Sequence, residues 1–107
     1  MRNRLDLHKA LCRFMQCPEQ GEACRVYFQP PNGFRMKYPC LIYKLDGVQT
    51  LFADGRVYRN TGRYAVTIIT KNPDPGIVDK MLEFPYCQFD RCYPADNLNH
   101  FTFILYY

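Results

Sequence analysis

The first regular pattern of apolar residues along the chain has the period of an α-helix. Four apolar side chains recur at positions i, i+4, i+7 and i+8 and form one stripe; they are Leu7, Leu11, Phe14 and Met15. Asn3 is a suitable N-cap residue, and a carboxylate such as Asp6 favours a helix start. Pro18 follows the pattern and stops it. The spacing therefore predicts a first helix that ends near Gln16.

Two segments after this helix have the composition of β-strands. Residues 26–29 bring Val, Tyr and Phe together in front of two prolines, which predicts a short strand. Residues 38–45 predict a longer strand that is apolar on both faces, with Leu41, Tyr43 and Leu45 on one and Cys40 and Ile42 on the other. Because such a strand is usually covered on both faces, we expect it to lie inside the sheet. Asn32 and Gly33 predict a turn between the two strands.

The region that follows carries mixed signals. Asp46 and Gly47 are typical of a loop or a bulge, and Asp54 and Gly55 of a turn, so residues 46–56 are predicted as a long loop. Residues 56–58 and 63–70 predict a hairpin that turns at residues 60–62. Its second strand alternates, with Tyr64, Val66 and Ile68 on one face and Ala65, Thr67 and Ile69 on the other.

A second helix is predicted after residue 73. Asp74 is a good N-cap residue and Pro75 a good first helical residue. The apolar face of this helix consists of Ile77, Val78, Met81 and Leu82. Pro85 stops it.

Two further strands complete the predicted fold. Residues 86–93 alternate approximately, with Cys87, Phe89 and Arg91 on one face; residues 99–107 alternate with Phe101, Phe103, Leu105 and Tyr107 on one face. An Asp- and Asn-rich turn at residues 94–98 connects them. The predicted order, α-β-β-β-β-α-β-β, is that of an α+β fold with one mainly antiparallel β-sheet packed by two α-helices.

Length and composition suit one small domain, residues 1–107, with a thin core. Nine Tyr and eight Phe are many for this length, and such rings suit half-exposed sheet faces and interfaces. The net charge of +4 is spread without a basic run, so it does not indicate a nucleic-acid surface. Neither a signal peptide nor a membrane-spanning apolar run is recognisable, from which we expect assembly in a cytoplasm and no membrane partner.

Six cysteines invite a metal or disulfide interpretation. Cys12 and Cys17 have four residues between them, as do Cys87 and Cys92, which is the upper limit of the spacing in zinc knuckles. Cys12 lies in a helical pattern and Cys87 in a strand pattern rather than on tight loops, so no metal site is predicted. In a reducing cytoplasm we expect free thiols that pack as small apolar side chains. A disulfide bond between Cys17 and Cys24 remains an alternative only in an oxidising environment.

Candidate catalytic groups are few. His8 falls on the polar side of the first helix, where we expect it to be solvated. The candidate catalytic pairs are His100 as the base with either Cys87 or Cys92 as the nucleophile. However, no nucleophile elbow, glycine-rich phosphate loop or pair of metal ligands accompanies these residues. The sequence therefore predicts no enzymatic activity, no catalytic residues and no cofactor.

Two segments are candidates for contacts with partner proteins. The predicted loop 48–59 carries adjacent apolar residues that need cover. The predicted turn 90–100 is the densest polar group, and it has an alternative role in satisfying its own backbone. The twelve candidate interface residues are Leu51, Phe52, Arg56, Tyr58, Arg59, Asp90, Arg91, Tyr93, Asp96, Asn97, Asn99 and His100.

Several strings in the chain resemble a known family. "VYFQPP", "MKYPCLIYKLD", "YAVTIITKNPDPGIVDKM" and "FDRCYPADNLNHFTFILYY" are similar to small proteins from the head–tail region of phages and prophages of Firmicutes, which look like tail terminators or tail-completion proteins. The resemblance extends from Leu5 to Tyr107. It departs from the family at "CPEQGEAC", which is longer than the corresponding loop.

The resemblance implies a virion structural protein at the head–tail junction. Such subunits form a homo-oligomeric ring, usually a hexamer, on the last ring of the tail tube. The ring stops tube polymerisation and joins the tail to a neck, head-closure or connector protein. Genome DNA passes through the lumen without specific binding. The family implies no catalytic, metal or cofactor residues.

Other functions compatible with the sequence belong to different classes. One alternative is another neck component, either a head-closure or a connector-adaptor protein. A second is a module that binds nucleic acid or a host factor, suggested by the positive net charge. The sequence does not distinguish a contractile from a non-contractile tail.

Overall fold

A computed structural model describes residues 3–18, 24–30, 38–72 and 76–107. The elements of this part of the chain are α1 (Arg4–Met15), β1 (Val26–Phe28), β2 (Cys40–Ala53), β3 (Arg56–Thr70), α2 (Ile77–Met81), β4 (Cys87–Ala95) and β5 (Leu98–Tyr106). The predicted turn at Asn32 and the predicted helix start at Asp74 and Pro75 lie outside the described residues. No helix within the described ranges is long and apolar enough to cross a membrane.

The strands form one mixed sheet in the order β1-β2-β3-β5-β4. β1 runs parallel to β2, and the other neighbouring strands are antiparallel. The side chains that pack between the sheet and the two helices form one core cluster, which includes Leu7, Leu11, Met81, Tyr43, Tyr64, Val66, Ile68 and Phe103. Among the described residues both helices therefore lie on one face of the sheet. The predicted α+β class, with a mainly antiparallel sheet and two helices, is confirmed.

The first helix has the predicted caps. The Asn3 side chain accepts a hydrogen bond from the Leu5 amide at 2.9 Å, and Asp6 lies in the first turn. Leu7 and Leu11 are buried, as the apolar stripe predicts. The helix ends at Met15 because Gln16 adopts a left-handed conformation with a φ of 56°.

The predicted long loop at residues 46–56 is wrong except for the turn at Asp54 and Gly55. β2 continues through this region to Ala53, and β3 starts at Arg56 and runs unbroken to Thr70, so the two strands form one long hairpin. The predicted turn at residues 60–62 is wrong for the same reason. Local signals misled the prediction because Gly47 and Gly62 weaken strand propensity, whereas cross-strand pairing overrides it.

The second hairpin is also more regular than predicted. β4 extends to Ala95, β5 starts at Leu98, and only Asp96 and Asn97 form the turn. The predicted turn at residues 94–98 is therefore too long. A register shift between Phe89 and Arg91 marks a bulge, which moves Arg91 to the face opposite Phe89. The prediction that both share a face is wrong because one extra residue inverts the alternation.

Candidate interaction surfaces

The long hairpin projects from the sheet as a two-stranded arm, residues 49–61. The ladder between β3 and β5 ends at the pair Arg63 and Tyr106, next to which the Tyr107 amide donates to the Gly62 carbonyl. From Thr61 to the tip, the described residues of β2 and β3 pair only with each other. At about 3.3 Å per residue the arm is about 20 Å long. An isolated hairpin is only marginally stable in water, so an arm of this kind benefits from contact with another surface.

A tight turn at the tip and a β-bulge at the base determine the geometry of the arm. At its tip Asp54 and Gly55 both have positive φ angles, 52° and 73°, and Ala53 pairs with Arg56. This is the geometry of a two-residue type I′ turn, which matches the twist of the strands. At its base a register shift between Leu45 and Gly47 places Asp46 in a bulge. The Arg63 Nε atom lies 3.1 Å from Asp46 Oδ2 across this bulge.

The arm exposes large apolar side chains. Leu51, Phe52 and Val57 are 57%, 67% and 55% exposed. Phe52 pairs with Val57 across the arm, and Leu51 pairs with Arg59. Adjacent exposed apolar groups on a narrow element are typical of surfaces that a partner covers.

The five interface residues predicted in the first segment all lie on this arm. Leu51, Phe52, Arg56 and Arg59 are exposed there, and Tyr58 belongs to the same strand. Their predicted setting was a loop, whereas the structure fixes them on paired strands. The arm therefore presents these residues in a defined arrangement.

A groove of about 670 Å³ lies where the arm joins the sheet. Leu51 and Arg59 line it from the arm, and Tyr86, Gln88 and Tyr106 line it from the body. Tyr86 is 76% exposed and has a φ of 57°; its carbonyl accepts a hydrogen bond from the Tyr106 amide at 3.1 Å. Sequence reasoning missed Tyr86, Gln88 and Tyr106 because no local signal relates them to the arm.

The second predicted segment forms the other hairpin. Asp96 and Asn97 make its turn, both with positive φ angles of 52° and 62°. Asn99 Nδ2 donates to the Lys71 carbonyl at 3.4 Å. The Asn99 side chain thus satisfies one nearby backbone carbonyl, whereas Asp96 and Asn97 remain exposed.

Further along this hairpin, polar and aromatic groups are stacked. The rings of Tyr93 and His100 are parallel within 12°, with centroids 5.0 Å apart, and the Arg91 guanidinium lies 5.6 Å from the Tyr93 ring centroid. The Thr102 hydroxyl donates to Asp90 Oδ2 at 3.2 Å. These groups therefore lie on paired strands and contact one another across one hairpin.

The two predicted segments do not form one site. In the β3–β5 ladder, the arm starts next to the Arg63–Tyr106 pair, whereas the second turn follows the Thr70–Asn99 pair. Seven residue steps separate these pairs, which corresponds to about 23 Å. The subunit therefore has two separate candidate contact surfaces at opposite ends of the sheet.

His8 is not the solvated residue that the sequence predicts. Its Nδ1 atom lies 2.7 Å from the Tyr43 hydroxyl, and Arg4 Nη1 donates to the same hydroxyl at 3.0 Å. Burial raises the pKa of Tyr43, while its hydrogen bond with Arg4 lowers it by less. Helix periodicity alone missed this contact because it does not specify which sheet residue faces the helix.

Three cysteines that are dispersed in the sequence meet near His8. A ring nitrogen of His8 and the sulfur atoms of Cys12 and Cys24 lie within 4.8 Å of one another. The Cys17 sulfur accepts a hydrogen bond from the Arg25 amide at 3.4 Å. All six cysteines are unbridged. Spacing along the chain did not predict this cluster because Cys24 reaches it through tertiary packing.

The structure does not bring the two candidate nucleophiles, Cys87 and Cys92, to His100. Cys92 pairs with Phe101, the residue next to His100, so its side chain points to the opposite face. Cys87 pairs with Leu105, five residues further along β5. Burial raises the pKa of the Cys87 thiol to about 11, which disfavours the thiolate.

No protein-family model, no curated protein and no solved structure shows a significant match to this chain. The interpretation of its surfaces therefore depends on their chemistry and geometry.

Proposed function

We propose that this chain is a virion structural protein, a tail terminator whose copies form a ring at the end of the tail tube of a tailed phage. Two independent arguments support the proposal. One is the resemblance of its sequence strings to tail-terminator and tail-completion proteins. The other is the presence of two separate contact surfaces on a small subunit.

The observation that carries the proposal is the exposed arm. It projects about 20 Å beyond the end of the β3–β5 ladder and presents Leu51, Phe52 and Val57 to solvent. Within one subunit, the described residues leave these side chains uncovered. Closed rings repeat one heterologous contact, in which a projecting element of one copy meets a different surface of the next.

The groove at the base of the arm suits the receiving side of such a contact. It combines the aromatic rings of Tyr86 and Tyr106 with the polar Gln88, a mixture common at protein interfaces. The polar turn at Asp96 and Asn97 lies at the other end of the sheet, where it is available to the tube or the neck. DNA in the lumen requires no specific contact from either surface.

Deletion of the gene from the phage or prophage that carries it tests this function. We expect virions or free tails of abnormal, extended length in electron micrographs, because tube growth no longer stops. Complementation by wild type should restore uniform tails. Complementation by Phe52→Asp should fail, since a charge on the arm disfavours burial in the ring contact.

A matched control separates the arm from general surface apolarity. Leu5 on α1 is 54% exposed, similar to the arm residues, so Leu5→Asp should restore normal tails. Uniform tails of normal length in the deletion strain would exclude a terminator. If those tails accompany filled heads that lose DNA, the alternative function in head closure or as a connector adaptor is favoured. A salt-dependent shift of DNA mobility with the purified protein would favour nucleic-acid binding.

A further inference from the structure

Potential metal ligands converge where the first helix meets the first strand. His8 and Cys12 are one helical turn apart on α1, so they share a face. Cys24 lies two residues before β1. A His8 ring nitrogen and the two sulfur atoms all lie within 4.8 Å of one another. Cys12 and Cys24 are 1% and 8% exposed, so this is a buried group of soft donor atoms.

A third cysteine, Cys17, follows the end of α1. The Gln16 amide donates to the Arg13 carbonyl at 3.1 Å, and the Cys17 amide donates to the Cys12 carbonyl at 3.0 Å. With Gln16 in the left-handed region, these bonds form a Schellman motif that reverses the chain direction. The reversal brings Cys17 beside the segment that carries Cys24, where the Arg25 amide donates to the Cys17 sulfur at 3.4 Å.

We propose that His8, Cys12, Cys17 and Cys24 bind one zinc ion in a tetrahedral Cys3His site. Zinc–sulfur bonds of about 2.3 Å place tetrahedral sulfur ligands roughly 3.8 Å apart. The His8 nitrogen and the Cys12 and Cys24 sulfur atoms, already within 4.8 Å of one another, reach that geometry by a contraction of roughly 1 Å. Cys17 lies outside this group of three and would move toward it to complete the set. Three thiolates and an imidazole form one of the standard ligand sets of structural zinc, and hard cations such as magnesium do not favour them.

The surroundings of the ligands have the features of a second shell. We assign the His8 Nδ1–H group to the Tyr43 hydroxyl, 2.7 Å away, and Nε2 to the metal. Such a hydrogen bond orients the ring and fixes its tautomer. The Arg25 amide, which donates to the Cys17 sulfur, stabilises negative charge on that thiolate.

The charge balance of the site requires a cation, because thiolate groups in a buried cluster are costly unless an opposite charge compensates them. On binding, the three thiols release three protons as three sulfur–zinc bonds form, and no electron is transferred. The site then carries a net charge of −1.

The position of the site indicates a structural role. Zinc would join the C-terminal end of α1 to the start of β1, a three-residue strand that lies at the edge of the sheet and has β2 as its one partner among the described strands. It would thereby stabilise the attachment of the helix to the sheet. This inference does not depend on the proposed virion function.

Metal content of the full-length protein tests the proposal. The protein is purified with reductant, without a polyhistidine tag, dialysed against zinc sulfate and separated from unbound metal by gel filtration. We expect about one zinc per chain by elemental analysis. Removal with a chelator should lower Tm by roughly 10 °C, and added zinc should restore it. Cobalt(II) should give the intense visible d–d bands of tetrahedral thiolate coordination.

Matched cysteine variants locate the site. Cys24→Ser and Cys17→Ser should lose most of the zinc, whereas Cys87→Ser and Cys92→Ser should retain it. If the two serine variants fail to fold, substitutions of His8 provide a second measurement. His8→Cys should preserve zinc binding because it supplies a fourth thiolate, whereas His8→Phe should abolish it. The cobalt spectrum of His8→Cys should then shift toward that of a four-thiolate site.

Three results would overturn the proposal. The first is reduced wild type that retains no zinc after gel filtration. The second is equal zinc loss in the Cys87→Ser control and the Cys24→Ser variant. The third is a mass two hydrogens lower in protein purified without reductant, assigned by peptide mapping to a Cys17–Cys24 disulfide, together with no metal binding after reduction.

Discussion

At the scale of single residues, Gly62 shows how the fold constrains positions that look unremarkable in the sequence. It lies in β3 and is buried, and a Cβ atom there would lie 2.9 Å from Cε2 of the Tyr64 ring. The Tyr64 ring is itself only 2% exposed. The Tyr64 ring, two residues further along the same strand, covers Gly62 and shields its backbone. Aromatic rings are also placed over glycines in designed sheets.

We therefore predict that Gly62→Ala lowers the free energy of unfolding by about 1–2 kcal/mol, because the Tyr64 ring must move within a packed core. Urea denaturation measures this. Gly76→Ala is the control, since a Cβ atom added there would have no neighbouring atom within 4 Å, and it should change stability by less than about 0.5 kcal/mol. Equal effects of the two substitutions would contradict the packing argument.

Cys40 is a second residue whose environment determines its chemistry. It is fully buried at the start of β2, and burial raises the pKa of its thiol from 9.0 to about 12. The folded chain thus keeps a proton that the unfolded chain releases above pH 9.0. The stabilisation is complete below that pH and is lost as pH rises toward about 12.

This shift predicts alkaline destabilisation. Between pH 9 and pH 11, Cys40 alone should reduce the free energy of unfolding by about 2 kcal/mol. Urea midpoints recorded with reductant across this range test it. Cys40→Ala should flatten the pH dependence whatever its effect on stability at neutral pH, and Cys92→Ala, at an exposed thiol, should leave the slope unchanged. A slope equal in wild type and Cys40→Ala would contradict the assignment.

At the scale of elements, the arm and the body of the sheet differ in their support. In the body, β3 has a partner on each side, β2 and β5, and α1 and α2 cover one face. In the arm, each strand has one partner and both faces are exposed. Regions with few buried apolar contacts open at low free-energy cost.

Hydrogen exchange on the free subunit should reveal this difference. We expect amides of residues 49–53 and 56–61 to exchange roughly 100-fold faster than those of residues 66–69 in the same strand pair. Addition of assembled tail tube, or ring formation at high concentration, should slow exchange in the arm selectively. Equal protection of arm and body in the monomer would show that the arm needs no partner.

The elements also show how far local patterns reach. Both helices, the outward and inward faces of β3 and β5, and the turn at Asp54 and Gly55 were predicted from short segments. The long β2–β3 hairpin was missed because its glycines and polar residues resemble a loop. Its strand conformation is stabilised by pairing between residues far apart in sequence.

At the scale of the whole molecule, the arm makes the subunit elongated. Its principal extents are 50 × 28 × 26 Å and its radius of gyration is 14.8 Å, whereas a compact chain of this length has about 13 Å. An elongated subunit with contact surfaces at both ends suits an assembly that spans the junction between two larger structures. The proposed ring and the proposed zinc site involve different parts of this shape, so each can be tested without the other.

The candidate contact residues form two groups at opposite ends of the sheet. The sequence identified the arm residues through adjacent apolar side chains, Leu51 and Phe52, and the opposite turn through its density of Asp and Asn. It did not reveal that about 23 Å of sheet separates them. Nor did it identify the groove at Tyr86 and Tyr106, whose lining comes from strands that are remote in sequence.

Amino-acid order alone specified the N-cap of α1, the alternating faces of β3 and β5 and the α+β class, because each depends on interactions among residues within a few positions of one another. Three-dimensional packing specified the rest. It set the register shifts that moved Asp46 and Arg91, the bond between His8 and Tyr43, and the meeting of Cys12, Cys17 and Cys24. Those features depend on which distant segments become neighbours, and a one-residue shift in a strand is sufficient to exchange its faces.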